Sequence, residues 1–477
     1  MLGDPVCWLM RPVPFGRMKG RWLRTLPRRQ FPRAMAFGAA GDDRLAEEAG
    51  RMTAVEMRAI GVHVNFAPVA DVNNNPRNPV INTRSFGEDP VRVGALAAAC
   101  ARGLQTGGVI ATLKHFPGHG DTDVDTHLGL ATIPHDRARL DAVELAAFRL
   151  AFRDARAVMI GHLEMPALDD GVPATLSRRA VQELLRDELG FGGLIVTDAL
   201  RMDAIAKMVE PGEAAVRALE AGNDIILLPG DDQAALEALR HAVASGRVPL
   251  ARVDASVRRV LEAKARFGLD AERVVDLERV ADLVGGRAHQ AIAEIASERS
   301  LTLVRDEESR VPLPLAAGGS LLHLSVLDGL GNWRTVGAPG RTLIPALRAR
   351  WPGTTAVELS DRSTAGDLEL VRALARRHDA ISVALYARSA TGVPPGVAAL
   401  LRDFARLRGE RPMVVSVFGN PYAAAGLPEG SAVLLAYDLG DLAERSVARA
   451  LTGERRIGGR LPVAIPGLVP AGHGLDR

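Results

Sequence analysis

The sequence contains few cysteines and few aromatic residues. Cys7 and Cys100 are its only cysteines, which argues against a disulfide framework or a cysteine metal site. Aromatic residues make up 4% of the chain, so Ala, Val and Leu must fill the cores. No apolar run approaches the roughly 20 residues that a membrane-spanning helix needs. The sequence therefore predicts no membrane span.

The chain also lacks a strong charge of either sign. It has 59 Lys and Arg against 57 Asp and Glu, a formal net charge of +2. Apart from one cluster at 17–33, the arginines alternate with acids, which argues against a nucleic-acid-binding surface. The first residues, MLGDPVCWLM, do not resemble a signal peptide. We expect a cytoplasmic protein as written, or a secreted or periplasmic one if an upstream start is missing.

Apolar runs alternate with helical stretches over the first half of the chain. With 477 residues, 47% of them hydrophobic, two or three domains are expected. Continuous apolar strands between helices indicate a parallel sheet covered by helices. The predicted strands are 62–72, 109–116, 157–163, 194–200 and 223–228, and the helices between them include 141–154 and 177–189, the latter beginning at Ser177 as N-cap.

The composition changes after a predicted helix at 253–265, and a second β/α series then begins. Its predicted strands are 300–304, 321–327, 380–386, 414–418 and 432–437. We therefore predict an N-terminal β/α domain at 1–275, a linker at 276–299 and a smaller α/β layered domain at 300–477. The predicted fold class is α/β.

Polar side chains follow the predicted strands at their carboxyl ends. Asp71 follows the first strand, Lys114 and His115 the second, His162 the third and Asp198 the fourth. A β/α barrel places its chemistry there, and an open doubly wound sheet does the same. Position alone does not choose between these two folds.

The segment KHFPGHGDTDVDTH at 114–127 is a loop rich in histidine and aspartate. Its alternating acids suggest calcium, but an EF-hand needs Gly and Glu where Thr126 and Thr132 stand. A zinc site using His119 and His127 has no supporting motif. We predict no metal and no organic cofactor, although a merely solvated polar loop is also compatible with this composition.

Asp125 and His127 stand two residues apart in the same loop. In extended backbone such residues point to the same side. The carboxylate can then fix the imidazole tautomer and leave the other ring nitrogen free to move a proton. This spacing suits a general acid/base pair.

Two other segments offer single candidate residues. Asp198, in FGGLIVTDALRM, could cap the next helix or act as a nucleophile toward an anomeric carbon. Arg84 lies in the Asn- and Pro-rich segment 65–90, and long loops of this kind usually bind something. It could bind a sugar hydroxyl or carbonyl, or pair with Glu88 or Asp89 on the surface.

Together these segments resemble glycoside hydrolase family 3, in its bacterial β-N-acetylhexosaminidase (β-N-acetylglucosaminidase) branch. The motifs NFAPVADVN, RSFGEDP, KHFPGHGDTDVDTH and TDAL occur in the family's order and spacing. The resemblance covers 31 to about 269, and more weakly the tail from 300. It implies a (β/α)8 TIM barrel and a retaining exo-glycosidase that removes terminal β-N-acetylglucosamine, acting on GlcNAc-containing glycans such as peptidoglycan fragments.

The resemblance also implies residue roles. Asp198 matches the nucleophile that forms a covalent glycosyl-enzyme, and His127, held by Asp125, matches the acid/base. Asp71 matches an acid whose role is structural, and Met202 would line the pocket near the nucleophile. The residues that match binders of the terminal sugar are Arg84, Lys114, His115 and Arg21.

One stretch departs from the family pattern. Where the family has D-Q-E-G-G-R, this sequence reads GRMKGR at 16–21, without the sugar-binding Asp. The preceding stretch is short by about two strand–helix units of a barrel. We expect an altered or truncated start, an incomplete barrel, an irregular segment at 1–30 and a pocket open on that side. A β-N-acetylglucosaminide phosphorylase and an inactive sugar-binding relative are the alternative functions.

Overall fold

The computed structural model describes residues 31–271, 274–327, 339–388, 393–407 and 411–477. Arg21, the stretch 16–21 and the expected irregular start at 1–30 therefore lie outside the described residues. The described chain divides into two compact units. The first is Asp43–Gln290, and the second combines Phe31–Asp42 with Ala291–Arg477.

Strands and helices alternate through both units. The strands are β1 Val64–Asn65, β2 Ile110–Phe116, β3 Ala131–Thr132, β4 Ala157–Ile160, β5 Leu163–Glu164, β6 Leu194–Thr197, β7 Thr302–Arg305, β8 Leu321–Leu327, β9 Thr355–Leu359, β10 Ala380–Ala387, β11 Met413–Gly419 and β12 Ala432–Leu435. The α-helices are α1 Ala34–Ala40, α2 Asp43–Ala59, α3 Pro90–Thr106, α4 Arg137–Ala142, α5 Glu144–Ala151, α6 Asp203–Ala206, α7 Pro211–Ala221, α8 Asp232–Ala244, α9 Leu250–Arg266, α10 Val280–Leu283, α11 Arg287–Ser300, α12 Leu343–Arg350, α13 Ala365–Ala375, α14 Pro395–Leu407 and α15 Asp441–Thr452.

The first unit contains a parallel sheet in the order β1-β2-β4-β6. A parallel bridge between Val196 of β6 and Ile225 adds one further backbone segment beside the β6 edge of the sheet. The predicted strand at 62–72 is reduced to β1 and a bridge from Val69 to Lys114, because Pro68 has no N–H to give to a ladder. The predicted helix at 177–189 is a π-helix, Arg179–Glu188, and the Ser177 hydroxyl accepts from the Ala180 amide at 3.1 Å.

Helix α3 packs against β2, and helices α2 and α3 lie unusually close to each other. A Cβ on Gly103 would come within 1.9 Å of the Glu47 carbonyl oxygen, and one on Gly50 within 2.4 Å of the Cys100 carbonyl oxygen. Only glycine at these two positions lets the backbones meet. This contact fixes α3, which leads directly into β2 and its polar carboxyl end.

The second unit contains a six-stranded sheet in the order β7-β12-β11-β10-β8-β9. Strand β7 is antiparallel to β12, and the other pairs are parallel. Side chains of its central strands are buried on both faces; Val383 and Leu385 belong to one core and Ala384 and Tyr386 to the other. Burial on both faces explains why these strands are continuous apolar runs.

The prediction of an α/β fold with parallel sheets is confirmed. The described residues of the first unit show a four-stranded sheet, so a closed barrel stays a prediction. Among the described residues, no helix is both long and apolar enough to cross a membrane.

Candidate active site

Three neighbouring strands of the first unit end in polar residues. Lys114 and His115 lie near the carboxyl end of β2, His162 follows β4 and Asp198 follows β6. The Asp198 amide donates to the carbonyl oxygen of Ile160 at 3.0 Å, which extends the β4–β6 pairing to the nucleophile candidate. Since parallel strands end at the same edge of a sheet, these side chains share one site.

Asp198 is partly exposed and does not cap a helix. Helix α6 begins five residues later, and its N-cap is Met202. Within the described ranges, the Asp198 Oδ1 accepts a hydrogen bond from the Ala199 amide at 2.8 Å. Burial raises the pKa of this carboxyl. The opposing effect of its neighbours is larger, so the net pKa lies below its usual value; these neighbours are His115, His162, the Ala199 amide and Lys114. Asp198 is therefore ionised at neutral pH.

His115 is held by the buried carboxylate of Asp71. The His115 Nδ1 donates to Asp71 Oδ2 at 2.7 Å, and the His115 and His119 amides donate to Asp71 Oδ1 at 3.0 and 2.7 Å. Burial and the charges of Arg84 and Lys114 hold the pKa of His115 well below its usual value. At neutral pH the ring is thus uncharged, with Nε2 as a hydrogen-bond acceptor.

His162 supports the backbone of the nucleophile turn. Its Nε2 lies 3.0 Å from the Ala199 carbonyl oxygen and its Nδ1 lies 2.8 Å from the Thr175 hydroxyl. A carbonyl oxygen only accepts, so Nε2 carries the proton. Burial lowers the pKa of His162. Sequence reasoning placed His162 at a strand end but missed this role, because Thr175 and Ala199 are brought to it only by folding.

The loop after β2 is held from inside by His119. Its Nδ1 lies 3.0 Å from the Thr122 hydroxyl and its Nε2 lies 3.0 Å from the Thr126 hydroxyl. A Cβ on Gly120 would come within 1.7 Å of the Val72 carbonyl oxygen, so the loop backbone lies directly against the segment after β1. Burial lowers the pKa of His119 to about 4.

Asn78 joins this loop to the segment that carries Arg84. Its Nδ2 donates to the carbonyl oxygens of His119 and Gly120 at 2.8 and 2.9 Å, and its Oδ1 accepts from the amides of Val80 and Ile81. Sequence reasoning missed Asn78. Nothing in the local sequence separates it from the other asparagines of its segment.

The predicted pair forms at the tip of the loop. The His127 Nδ1 lies 2.8 Å from Asp125 Oδ1, which also accepts from the His127 amide at 2.9 Å. The His127 side chain is 42% exposed, so its other nitrogen can reach a substrate. The Lys207 Nζ donates to the Leu128 carbonyl oxygen at 3.3 Å, which ties the tip to the segment after the nucleophile.

Two further predicted residues lie at the same site. Arg84 ends a 3-10 helix, Asn82–Arg84, and its charge lowers the pKa of His115 after the larger effect of burial. Asp89 caps α3 through the amides of Val91 and Arg92. Met202 is 9% exposed, and its amide donates to the Ala199 carbonyl oxygen at 3.0 Å, so it closes the turn after Asp198.

The described residues contain no group of three or more His, Cys, Asp or Glu arranged to hold a metal ion. What they do bring together is an ionised carboxylate, a cation, neutral imidazoles and a histidine–carboxylate pair on a neighbouring loop. Such a combination can supply both a nucleophile and a separate proton-transfer group.

Comparison with known proteins identifies the family. The family model described as the glycosyl hydrolase family 3 N terminal domain matches residues 16–263, and the chain belongs to this family. It is 41% identical over 229 residues to beta-hexosaminidase LpqI of Mycobacterium tuberculosis, covering 46% of this chain and 58% of that protein. It is 32% identical over 295 residues to beta-hexosaminidase A of Pseudoalteromonas piscicida, covering 57% and 48%.

A solved structure extends the similarity to most of the chain. A glycoside hydrolase family 3 beta-N-acetylglucosaminidase from Paenibacillus sp. matches with a TM-score of 0.81 and 37% identity, covering 92% of this chain and 83% of that one. The chain spans about half the length of the curated relatives it matches.

Proposed function

We propose that this protein is a retaining exo-β-N-acetylglucosaminidase. The observation that carries the proposal is Asp198, an ionised and partly exposed carboxylate at a strand end, beside a loop that holds His127 against Asp125. The names of the similar proteins, beta-hexosaminidase and beta-N-acetylglucosaminidase, support this choice of sugar.

The reaction would proceed in two displacements. Asp198 Oδ2 attacks the anomeric carbon as the glycosidic bond breaks, and His127 gives its proton to the departing oxygen. His127 then takes a proton from water, whose oxygen attacks the anomeric carbon and releases Asp198. Two inversions retain the β configuration. A histidine here takes the place of the second carboxylate found in most retaining enzymes.

The residues around the nucleophile would hold the terminal sugar. Lys114 and Arg84 supply donors for hydroxyl groups. The neutral His115 supplies an acceptor at Nε2, because its Nδ1–H donates to Asp71. Met202 would line the pocket beside Asp198. Arg21, outside the described residues, would add a further donor.

The wider setting follows from the same proposal. The four-stranded sheet of the first unit would be part of a β/α barrel, in a catalytic domain at 1–275 followed by a linker at 276–299 and an α/β domain at 300–477. The natural substrates would be GlcNAc-containing glycans, including peptidoglycan fragments released in wall turnover.

The deciding experiment is trapping of the covalent intermediate. A mechanism-based fluorosugar with the GlcNAc configuration should inactivate the protein and add its glycosyl mass to the peptide containing Asp198. Chromogenic β-GlcNAc should be cleaved with the same products in the presence and absence of phosphate. Labelling of another carboxylate would contradict the nucleophile, and a sugar 1-phosphate product would favour the phosphorylase.

A further inference from the structure

The first unit has a second concave site, at the opposite end of the same strands. A cavity of about 660 Å³ is lined by residues at the start of β2, β4 and β6, including Ile110, Arg156 and Leu194. We call it the amino-end cavity. Its volume lies in the range of small-molecule sites. It lies at the amino ends of strands whose carboxyl ends carry Lys114, His162 and Asp198, so the proposed catalytic residues do not line it.

The charges in the amino-end cavity do not balance. Five arginines and two glutamates line it. Within the described ranges, Arg149 and Arg259 pair with aspartates and Glu188 with Arg137. Three arginines have no carboxylate partner in the described part of the chain: Arg153, Arg156 and Arg266. In the same ranges the carboxylate of Glu262 has no cationic partner. The unpaired groups thus leave two positive charges.

Arg156 and Arg266 repel each other across this cavity. Partial burial lowers the pKa of Arg156, and the charge of Arg266 lowers it further. Two guanidinium groups that line one cavity and repel each other are stabilised by an anion that binds both. The glycine-rich turn 190–193 adds backbone donors, because the amides of Gly192 and Gly193 have no acceptor among the described residues. Guanidinium groups with free backbone amides are a recurrent setting for phosphate.

The remaining wall of the cavity is apolar. Phe152 and Phe191 both line it, with ring centroids 5.4 Å apart. A bare phosphate ion would leave these rings and most of the volume without contacts. A ligand with a ring or another apolar body would cover them.

We propose that the amino-end cavity binds a phosphate monoester, with the phosphate between Arg156 and Arg266 and an apolar body against Phe152 and Phe191. A monoester carries nearly two negative charges at pH 7, which matches the two unbalanced positive charges. A carboxylate ligand of the same shape carries one negative charge and would match only half of that excess. The site is independent of the proposed glycosidase chemistry.

Calorimetric titration of the full chain at low ionic strength tests this proposal. Phenyl phosphate should bind more tightly than both inorganic phosphate, which lacks the ring, and benzoate, which lacks the second charge. Arg156→Ala and Arg266→Ala should each weaken phenyl phosphate binding about tenfold or more, as expected for loss of a charged hydrogen-bond donor.

Arg258→Ala is the matched control, since Arg258 is exposed on the same helix as Arg266 but does not line the cavity. It should bind phenyl phosphate like the wild type. Thermal melts of the three variants should match, because none of the three arginines has a carboxylate partner in the described part of the chain, so that no ion pair is lost. No binding to the wild type, or binding unaffected by Arg156→Ala and Arg266→Ala, would overturn the proposal; the latter result would place the ligand elsewhere, for example beside Lys114.

Discussion

At the scale of single residues, the site depends on how neighbouring groups set each other's charge. Asp198 keeps its negative charge because the polar groups around it, among them the Ala199 amide and the Lys114 ammonium, outweigh the effect of burial on its pKa. His115 stays neutral although it contacts a carboxylate, because its burial and two nearby cations disfavour a further positive charge. The carboxyl edge of this sheet thus presents an ionised carboxylate after β6 and a neutral hydrogen-bond acceptor in β2.

Asp198→Asn should abolish turnover while leaving the fold intact. The amide has the same shape but cannot form the glycosyl ester, so kcat on chromogenic β-GlcNAc should fall on the order of 10⁴-fold or more. The melting temperature should change little, since in the described part of the chain the side chain bonds to one backbone amide and does not cap a helix. Activity within tenfold of the wild type would exclude Asp198 as the nucleophile.

Substitution of the histidine pair should act through the leaving group. His127→Ala should slow cleavage of aryl glycosides with poor leaving groups by about 10²–10⁴-fold, and that of activated ones far less, because only poor leaving groups need protonation. Asp125→Asn should show the same pattern more weakly. Asp123→Asn, in the same loop with a 62% exposed side chain, is the control and should behave like the wild type. Equal losses for all leaving groups would show that His127 is not the acid.

At the scale of elements, the loop that carries Asp125 and His127 depends on a buried side chain from another segment. Asn78 joins it to the Arg84 segment through both its amide nitrogen and its carbonyl oxygen. Because Asn78 is buried, its removal leaves backbone groups without partners and without water.

Asn78→Ala should lower the free energy of unfolding by about 2–4 kcal/mol, measured by urea denaturation. It should also reduce kcat most for poor leaving groups, since the loop carrying His127 loses its support. Asn75→Ala is the control: Asn75 is partly exposed, and within the described ranges its side chain bonds to the Arg77 amide alone, so the change should be within about 0.5 kcal/mol. Equal effects of the two substitutions would contradict the anchoring role.

The same elements show what the sequence alone can predict. Strand β8 has the predicted bounds, and β2 begins one residue later than predicted, because long apolar runs buried on both faces leave few alternatives. Strand β9 was missed because it is a half-exposed edge strand. The strand-end residues were predictable, whereas the contacts of Asn78, His119 and His162 depend on segments that only the fold brings together.

At the scale of the whole molecule, buried histidines should make stability depend on pH. Burial lowers the pKa of His119, in the first unit, and of His323, in the second, to about 4. Below the unfolded pKa of about 6.5 the unfolded chain binds protons that these folded rings refuse. Stability is therefore fully present above about pH 6.5 and is lost progressively as the pH falls toward 4.

Because of each of these two histidines, the free energy of unfolding should fall by about 2 kcal/mol between pH 7 and pH 5. Asp71, whose pKa burial raises, offsets part of this loss in the first unit. His323→Gln removes one titrating ring from between Ser325 and Ser382, so amide hydrogen exchange in β10 and β11 should become less sensitive to pH. A decline in protection as steep as that of the wild type would show that His323 is not responsible.

The discontinuity of the second unit has a consequence for synthesis of the protein on the ribosome. Met35, Ala36 and Ala39 of α1 belong to a core whose other members all come after the first unit. At typical elongation rates the helix must wait on the order of ten seconds or more for those partners. Alone, a seven-residue helix is too short to persist in water. The nascent chain thus carries an unsatisfied apolar segment throughout synthesis of Asp43–Gln290, and this is where a chaperone has most time to bind.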